Sequence, residues 1–130
     1  MVVVGFDGSP TSEHALHYAA GLARRQDAKI VAVHAVSMPY DPLWASAATA
    51  DTMVRGTLED TVQELATECG IRASFVTAFG EAATVLTRIA GEQQADAIVV
   101  GASTTPVHRL FGSTAVKAVR QCPCPVTVVP

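Results

Sequence analysis

The sequence predicts an open, doubly wound α/β sheet of five parallel strands with helices on both faces. Two observations carry this prediction. Short valine and isoleucine runs without polar alternation mark strands covered on both sides, and they alternate with stretches whose apolar residues recur every three or four positions. Apolar residues make up 49% of the chain but aromatics only 5%, so valine and alanine must fill a core large enough to need no staples. The order reads βαβ, loop, αβαβαβ, and such units close through right-handed crossovers.

Residues 2–6 form the first strand, and Asp7-Gly8-Ser9-Pro10 ends it with turn chemistry. Ser9 is placed to cap a helix whose first turn accepts Pro10, because a missing N–H there is harmless. Leu16, Ala19, Ala20 and Ala23 share one face of that helix, and Arg24 and Arg25 sit at its end, where the carbonyl dipole favours cations. Residues 29–36 are the second strand. From 37 to 51 periodicity is lost, and Pro39, Pro42 and a run of Ala, Ser and Thr predict a long loop or a short irregular helix. Regular spacing returns with Val54, Leu58, Val62, Leu65 and Cys69, and Gly70 is placed to end that helix.

In the third strand Ile71, Ala73 and Phe75 alternate with Arg72 and Ser74, the pattern of a half-exposed edge. Gly80 and Glu81 open a helix with Val85, Leu86, Ile89 and Ala90 inward. Residues 97–100 are a fourth, wholly apolar strand ending at Gly101. A last helix starts near Gly112-Ser113 with Ala115, Val116 and Val119 inward, and residues 126–129 are the fifth strand. Neither a repeat nor a linker interrupts the order, so residues 1–130 are expected to form one domain.

The net charge of −3, with acids and bases interspersed, argues against binding nucleic acid through a basic face. No apolar run approaches the roughly 20 residues that span a bilayer. The opening Met1-Val2-Val3-Val4-Gly5 enters a strand without a basic leader. Cys69, Cys122 and Cys124 cannot all pair, and reduced thiols in the cytosol are the simplest reading. A cytoplasmic protein with neither nucleic-acid nor membrane partners is expected.

Ligands of open parallel sheets bind beyond the carboxyl ends of the strands, where strand order reverses. Two loops there concentrate glycine and hydroxyl residues. The first is Gly5-Phe6-Asp7-Gly8-Ser9; the second runs from Gly101-Ala102-Ser103-Thr104-Thr105 through His108 and Arg109 to Gly112-Ser113-Thr114. Glycines let backbone N–H groups approach an anion, and Ser113 and Thr114 open a helix whose N-terminus attracts phosphate. His108 and Arg109 would add positive charge at the mouth. The same glycines would also make plain turns and Ser113 a plain cap, so these residues alone leave both readings open.

Other candidates are weaker. His14 and His17, three apart on the first helix, have no third zinc ligand nearby and read equally as solvent-facing polar positions. His34 reads as a base or, more simply, as a satisfied strand-end histidine. Cys122-Pro123-Cys124 is half a ligand set without its other half, and packing as small apolar groups explains it better. Asp7 as a phosphoacceptor would need an acidic cluster for magnesium, and the first loop has one acid. Tyr40 and Trp44 serve as a lid or as plugs over a sheet edge. No Ser-His-Asp spacing, Walker lysine or carboxylate pair stands out, so turnover is not expected.

Five segments in order resemble the universal stress protein family along essentially the whole chain. They are Val4-Gly5-Phe6-Asp7-Gly8-Ser9, Ile30-Val31-Ala32-Val33-His34-Ala35, Val99-Val100-Gly101-Ala102-Ser103, Phe111-Gly112-Ser113-Thr114 and the closing Cys122-Pro123-Cys124-Pro125-Val126-Thr127-Val128-Val129. The resemblance implies strand order 3-2-1-4-5, as in adenine nucleotide alpha hydrolase-like folds, and puts both loops on one crevice. It implies a stress-response binding protein with a site for ATP or another adenine nucleotide, none being required. Some members bind ATP through Gly, two residues, Gly, nine residues, Gly, then Ser or Thr. Gly101 matches the first glycine, and Gly112 and Ser113 match the last pair.

Thr104 stands where the second glycine would be, and only seven residues separate it from Gly112. A branched side chain there obstructs close approach of backbone to phosphate. Asp7 matches the aspartate that meets the nucleoside, and the backbone at Ala35 would line the adenine side. The implied site is Gly5, Phe6, Asp7, Ala35, Gly101, Ala102, Ser103, Thr104, Arg109, Gly112, Ser113 and Thr114, with its adenosine half kept and its phosphate half altered. The alternative is a dimeric scaffold without nucleotide that acts through partner contacts. The last strand should lie at an edge, since the chain ends at Pro130 with nothing to cover it. Family members commonly dimerise there, which implies a homodimer through Val126 and Val128.

Overall fold

The computed structural model of the chain describes residues 1–36, 44–103 and 113–130, without the side chains of 44–51 and Ser113. Five parallel strands, β1 (Val2–Gly5), β2 (Lys29–Val36), β3 (Arg72–Phe79), β4 (Ala97–Gly101) and β5 (Val126–Val129), pair in the order β3-β2-β1-β4-β5. Helices α1 (Pro10–Gln26), α2 (Trp44–Cys69), α3 (Ala82–Glu92) and α4 (Ser113–Gln121) connect them. This is the predicted fold and strand order.

The lack of polar alternation in the central strands has a simple cause: both faces of the sheet are buried. Val2, Val4, Ile30, Ala32 and Val99 pack under α1 and α2 against Leu16, Leu58 and Val62. Their neighbours Val3, Val31, Val33, Ile98 and Val100 point the other way, against Val85, Leu86 and Ile89 of α3. Register ties the layers together, with Val3 opposite both Val31 and Ile98. β3 and β5 are the edges, and their residues are half-buried as expected, except Arg72 and Phe79 at the ends of β3, which are exposed.

Ser9 caps α1 as predicted, its side chain accepting from the Ser12 N–H, with Pro10 in the first turn. Leu16, Ala19, Ala20 and Ala23 form the buried face. Gly70 follows α2 at φ 64, as expected of the residue that ends it.

Two expectations are corrected. The irregular segment was expected to reach residue 51, but α2 already begins at Trp44. Alanine there supplies helix propensity without the bulky periodicity that marks a buried face. The rest of that segment, residues 37–43 with Tyr40, lies outside the described residues. In α4, Ala115 and Ala118 face the core, whereas Val116 and Val119 are 38% and 59% exposed. The small alanine stripe lets the helix lie close to the sheet and turns the valines aside. Among the described residues, no helix is long and apolar enough to cross a membrane.

Candidate functional site

The strand order reverses between β1 and β4, and a cleft of about 320 Å³ opens beyond their carboxyl ends. Its floor is the strand ends at Gly5, Val33 and Val100. Its walls come from the starts of three helices: Thr11 and Ser12 of α1, Ala82 of α3, and Thr114 and Ala115 of α4. Helix N-termini carry partial positive charge, which favours an anion, although at α1 Pro10 has no N–H and the Ser12 N–H is taken by Ser9.

Asp7 is the only ionisable side chain among the described residues that line it. The Ser9 N–H donates to Asp7 Oδ1 at 2.9 Å, and the Asp7 N–H donates to Ser12 Oγ at 3.4 Å. Ser12 Oγ in turn donates to the Ser9 carbonyl at 2.8 Å, so the loop and the first turn of α1 form one network. Partial burial raises the Asp7 pKa, but hydrogen bonds from Ser9, and then from Ser12, outweigh it and hold the carboxyl below its ordinary value. Gly8 makes this turn feasible: its φ is 81, and a Cβ there would stand 2.9 Å from Leu58 Cδ2.

Of the residues singled out in the sequence, Gly5, Phe6, Asp7, Ala35, Gly101, Ala102, Ser103 and Thr114 line this one cleft. Ser113 begins α4 beside it. Thr104, Arg109 and Gly112, with Thr105 and His108, lie outside the described residues. Two glycine and alanine positions act differently from expectation. Gly101 is in closest contact with the backbone of Thr11, and the Ala102 N–H donates to the Val129 carbonyl at 2.7 Å, which takes that amide away from any anion.

Sequence reasoning missed Thr11, Ser12, Ala82 and Leu86. The cap at Ser9 and the turn at Gly80-Glu81 were the available signals, since each starts a helix at the carboxyl end of a strand. Lys117 of α4 pairs with Glu81 just before α3, which lowers the Glu81 pKa. This ion pair ties together the two helices that supply Ala82 and Thr114.

The other candidates stand apart from the cleft lining. His14 Nδ1 meets the Pro130 carbonyl at 3.0 Å and His17 Nδ1 the Glu13 carbonyl at 2.9 Å. No group of three His, Cys, Asp or Glu able to hold a metal occurs among the described residues. The His34 ring stacks on Phe75 with centroids 6.4 Å apart, but its buried Nδ1 has no hydrogen-bond partner among the described residues, contrary to the expectation of a satisfied histidine.

The universal stress protein family model matches residues 1–130. A universal stress protein of Methanocaldococcus jannaschii is 29% identical, over 98% of this chain and 80% of that protein. Among solved structures, a universal stress protein in complex with cAMP is 25% identical with a TM-score of 0.81, covering 99% of this chain and 95% of the other. The universal stress protein from Archaeoglobus fulgidus in complex with dAMP is 22% identical with a TM-score of 0.77, covering 99% and 96%, and speaks to the fold alone.

Proposed function

The chain belongs to the universal stress protein family, and on that premise we propose that the cleft holds an adenine nucleotide and that the protein is a stress-response binding protein without turnover. The observation that carries this reading is one carboxylate and the starts of three helices converging on a cavity where strand order reverses. Its volume, about 320 Å³, is at the small end for ligand pockets.

Asp7 would accept hydrogen bonds from the ribose hydroxyls, while Val33 and Ala35 present an apolar wall to the base. Ser103, Thr114 and the start of α4 would meet phosphate. The fit to phosphate is weaker than the fit to adenosine. Ala102 has spent its N–H, the one ionisable side chain among the described lining residues is an anion, and Thr104 replaces a glycine of the family motif. The same inventory supports binding without turnover, since among the described lining residues Asp7 has no second titratable group with which to share acid–base work. The related structure in complex with cAMP supports the choice of adenine.

Calorimetry with adenosine and AMP tests the reading. Binding of both, lost in Asp7→Ala, is the expected result, and no binding of either would overturn it. The scaffold alternative would then stand, favoured by Val116 and Val119 exposed on the helix that leads into the edge strand β5. With or without nucleotide, we assign the outer edge of β5 as the contact of a two-fold homodimer. The carbonyls of Pro125 and Val129 accept from Ile98 of β4 and from Ala102 just after it, so by strand alternation Val126 and Val128 direct their backbone groups outward.

A further inference from the structure

Reactive groups also meet at the opposite end of the sheet, in the turn between α4 and β5. Cys122 Sγ lies 3.0 Å from Cys124 Sγ, about 1 Å beyond a covalent S–S bond. The Cys124 N–H donates to the same Cys122 sulfur at 3.4 Å. Both thiols are free and half-buried, packed against the core layer that contains Val3 and Ile98.

The turn has little freedom to separate them. Pro123 and Pro125 fix two φ angles. The Cys122 N–H donates to the Ala118 carbonyl at 2.8 Å, and the Pro125 carbonyl accepts from the Ile98 N–H at 2.9 Å, so both ends of the turn are anchored. Cys69 packs with the layer on the other face of the sheet and is not a competitor.

We propose that Cys122 and Cys124 form a reversible dithiol–disulfide site that exchanges with small-molecule disulfides of the glutathione type. Cys122, as thiolate, attacks one sulfur of the reagent; the reagent's S–S bond breaks, a mixed disulfide forms and one thiolate leaves. Cys124 then loses its proton and attacks the Cys122 sulfur, which expels the second half of the reagent. Two cysteine thiols are oxidised to one disulfide, and the reagent is reduced to two thiols that carry the two protons.

The order of attack follows from the surroundings. Burial, and then the neighbouring Cys122, push the Cys124 thiol up to about 12, so Cys124 keeps its proton at neutral pH. The Cys122 sulfur already accepts the Cys124 N–H at 3.4 Å, which holds it in place beside the Cys124 sulfur. Cys122 is the attacking sulfur and Cys124 the resolving one. The resolving step is the slow one, because Cys124 must first give up its proton.

The test equilibrates the whole protein with mixtures of oxidised and reduced glutathione, quenches with acid and maps free thiols by alkylation. Cys122 and Cys124 should lose their label together while Cys69 keeps its own, and Cys124→Ser should stop at a glutathione adduct on Cys122. Repeating the titration in urea isolates what the fold adds. The native pair should oxidise with an equilibrium constant about tenfold above that of the unfolded chain. By linkage, oxidation should then stabilise the fold by about 1.4 kcal/mol. A pair that stays labelled in excess oxidised glutathione, disulfides between chains, or equal constants with and without urea would each overturn the proposal. The wild-type comparison decides it even if the serine variant fails to fold.

Discussion

Gly101 rests directly on the backbone of Thr11: a Cβ at Gly101 would stand 2.5 Å from the Thr11 carbonyl carbon and oxygen and 2.8 Å from the Ser12 nitrogen. The last residue of β4 thereby brings the first turn of α1 down to the floor of the cleft. Backbone cannot step aside as a flexible side chain does. Gly101→Ala should therefore destabilise the protein by about 2–3 kcal/mol in urea titrations. A loss below about 0.5 kcal/mol would show that α1 slides to accommodate the methyl group.

Gly56 presents the opposite case. It sits inside α2, exposed, with nothing among the described residues within 4 Å of a Cβ added there. Gly56→Ala should stabilise the fold by about 0.5–1 kcal/mol, because alanine loses less backbone entropy on entering a helix. The urea midpoint should rise without a change in slope.

Asp7 links the cleft to pH. Its folded pKa lies below the ordinary value of 3.8, so its contribution to stability is fully present above that value. It is lost as pH falls through the lower, folded value. Asp7→Asn should flatten this acid limb of the stability profile. The effect should be small, since the carboxylate is exposed and screened by water. An unchanged profile would show that the hydrogen bonds from Ser9 and Ser12 do not favour the charged form.

The phosphate half of the cleft makes a separate prediction. ATP, ADP and AMP should differ by less than about tenfold in dissociation constant, a gap of about 1.4 kcal/mol. Calorimetry with the three nucleotides measures it. Submicromolar ATP binding with far weaker AMP binding would mean that the shortened 104–112 loop wraps a triphosphate after all.

The edge of β5 can be blocked without touching its ladder to β4. Val128→Pro removes an outward N–H and leaves the Pro125 and Val129 carbonyls on their partners Ile98 and Ala102. Light scattering at tens of micromolar should report a dimer for the wild-type chain and a monomer for the variant. A wild-type monomer, or a dimer that survives Val128→Pro, would place the contact elsewhere.

Much of this architecture was legible in the residues. Uninterrupted apolar runs at 2–4, 30–33 and 97–100, rich in valine and isoleucine, pointed to strands covered on both faces, and Ser9-Pro10 and Gly70 marked helix ends through local chemistry. Strand order came from the resemblance and not from periodicity, because a strand's pattern does not name its neighbours. Where local pattern was ambiguous, packing chose. In α4 the alanine stripe and the valine stripe have the same spacing, and only the close approach of the helix to the sheet puts Ala115 and Ala118 inward. α2 begins at Trp44 through propensity, which an apolar-period reading does not detect. In the cleft, the sequence by itself determined that the strand-ending loops share one side, since every strand of a parallel sheet ends there, and the resemblance, through strand order, brought the β1 and β4 loops together. It could not show that Gly101 bears on Thr11, that Ala102 donates to Val129, or that two cysteine sulfurs stand 3.0 Å apart. Those are contacts set by how closely elements approach, and that distance is decided only when the whole core packs.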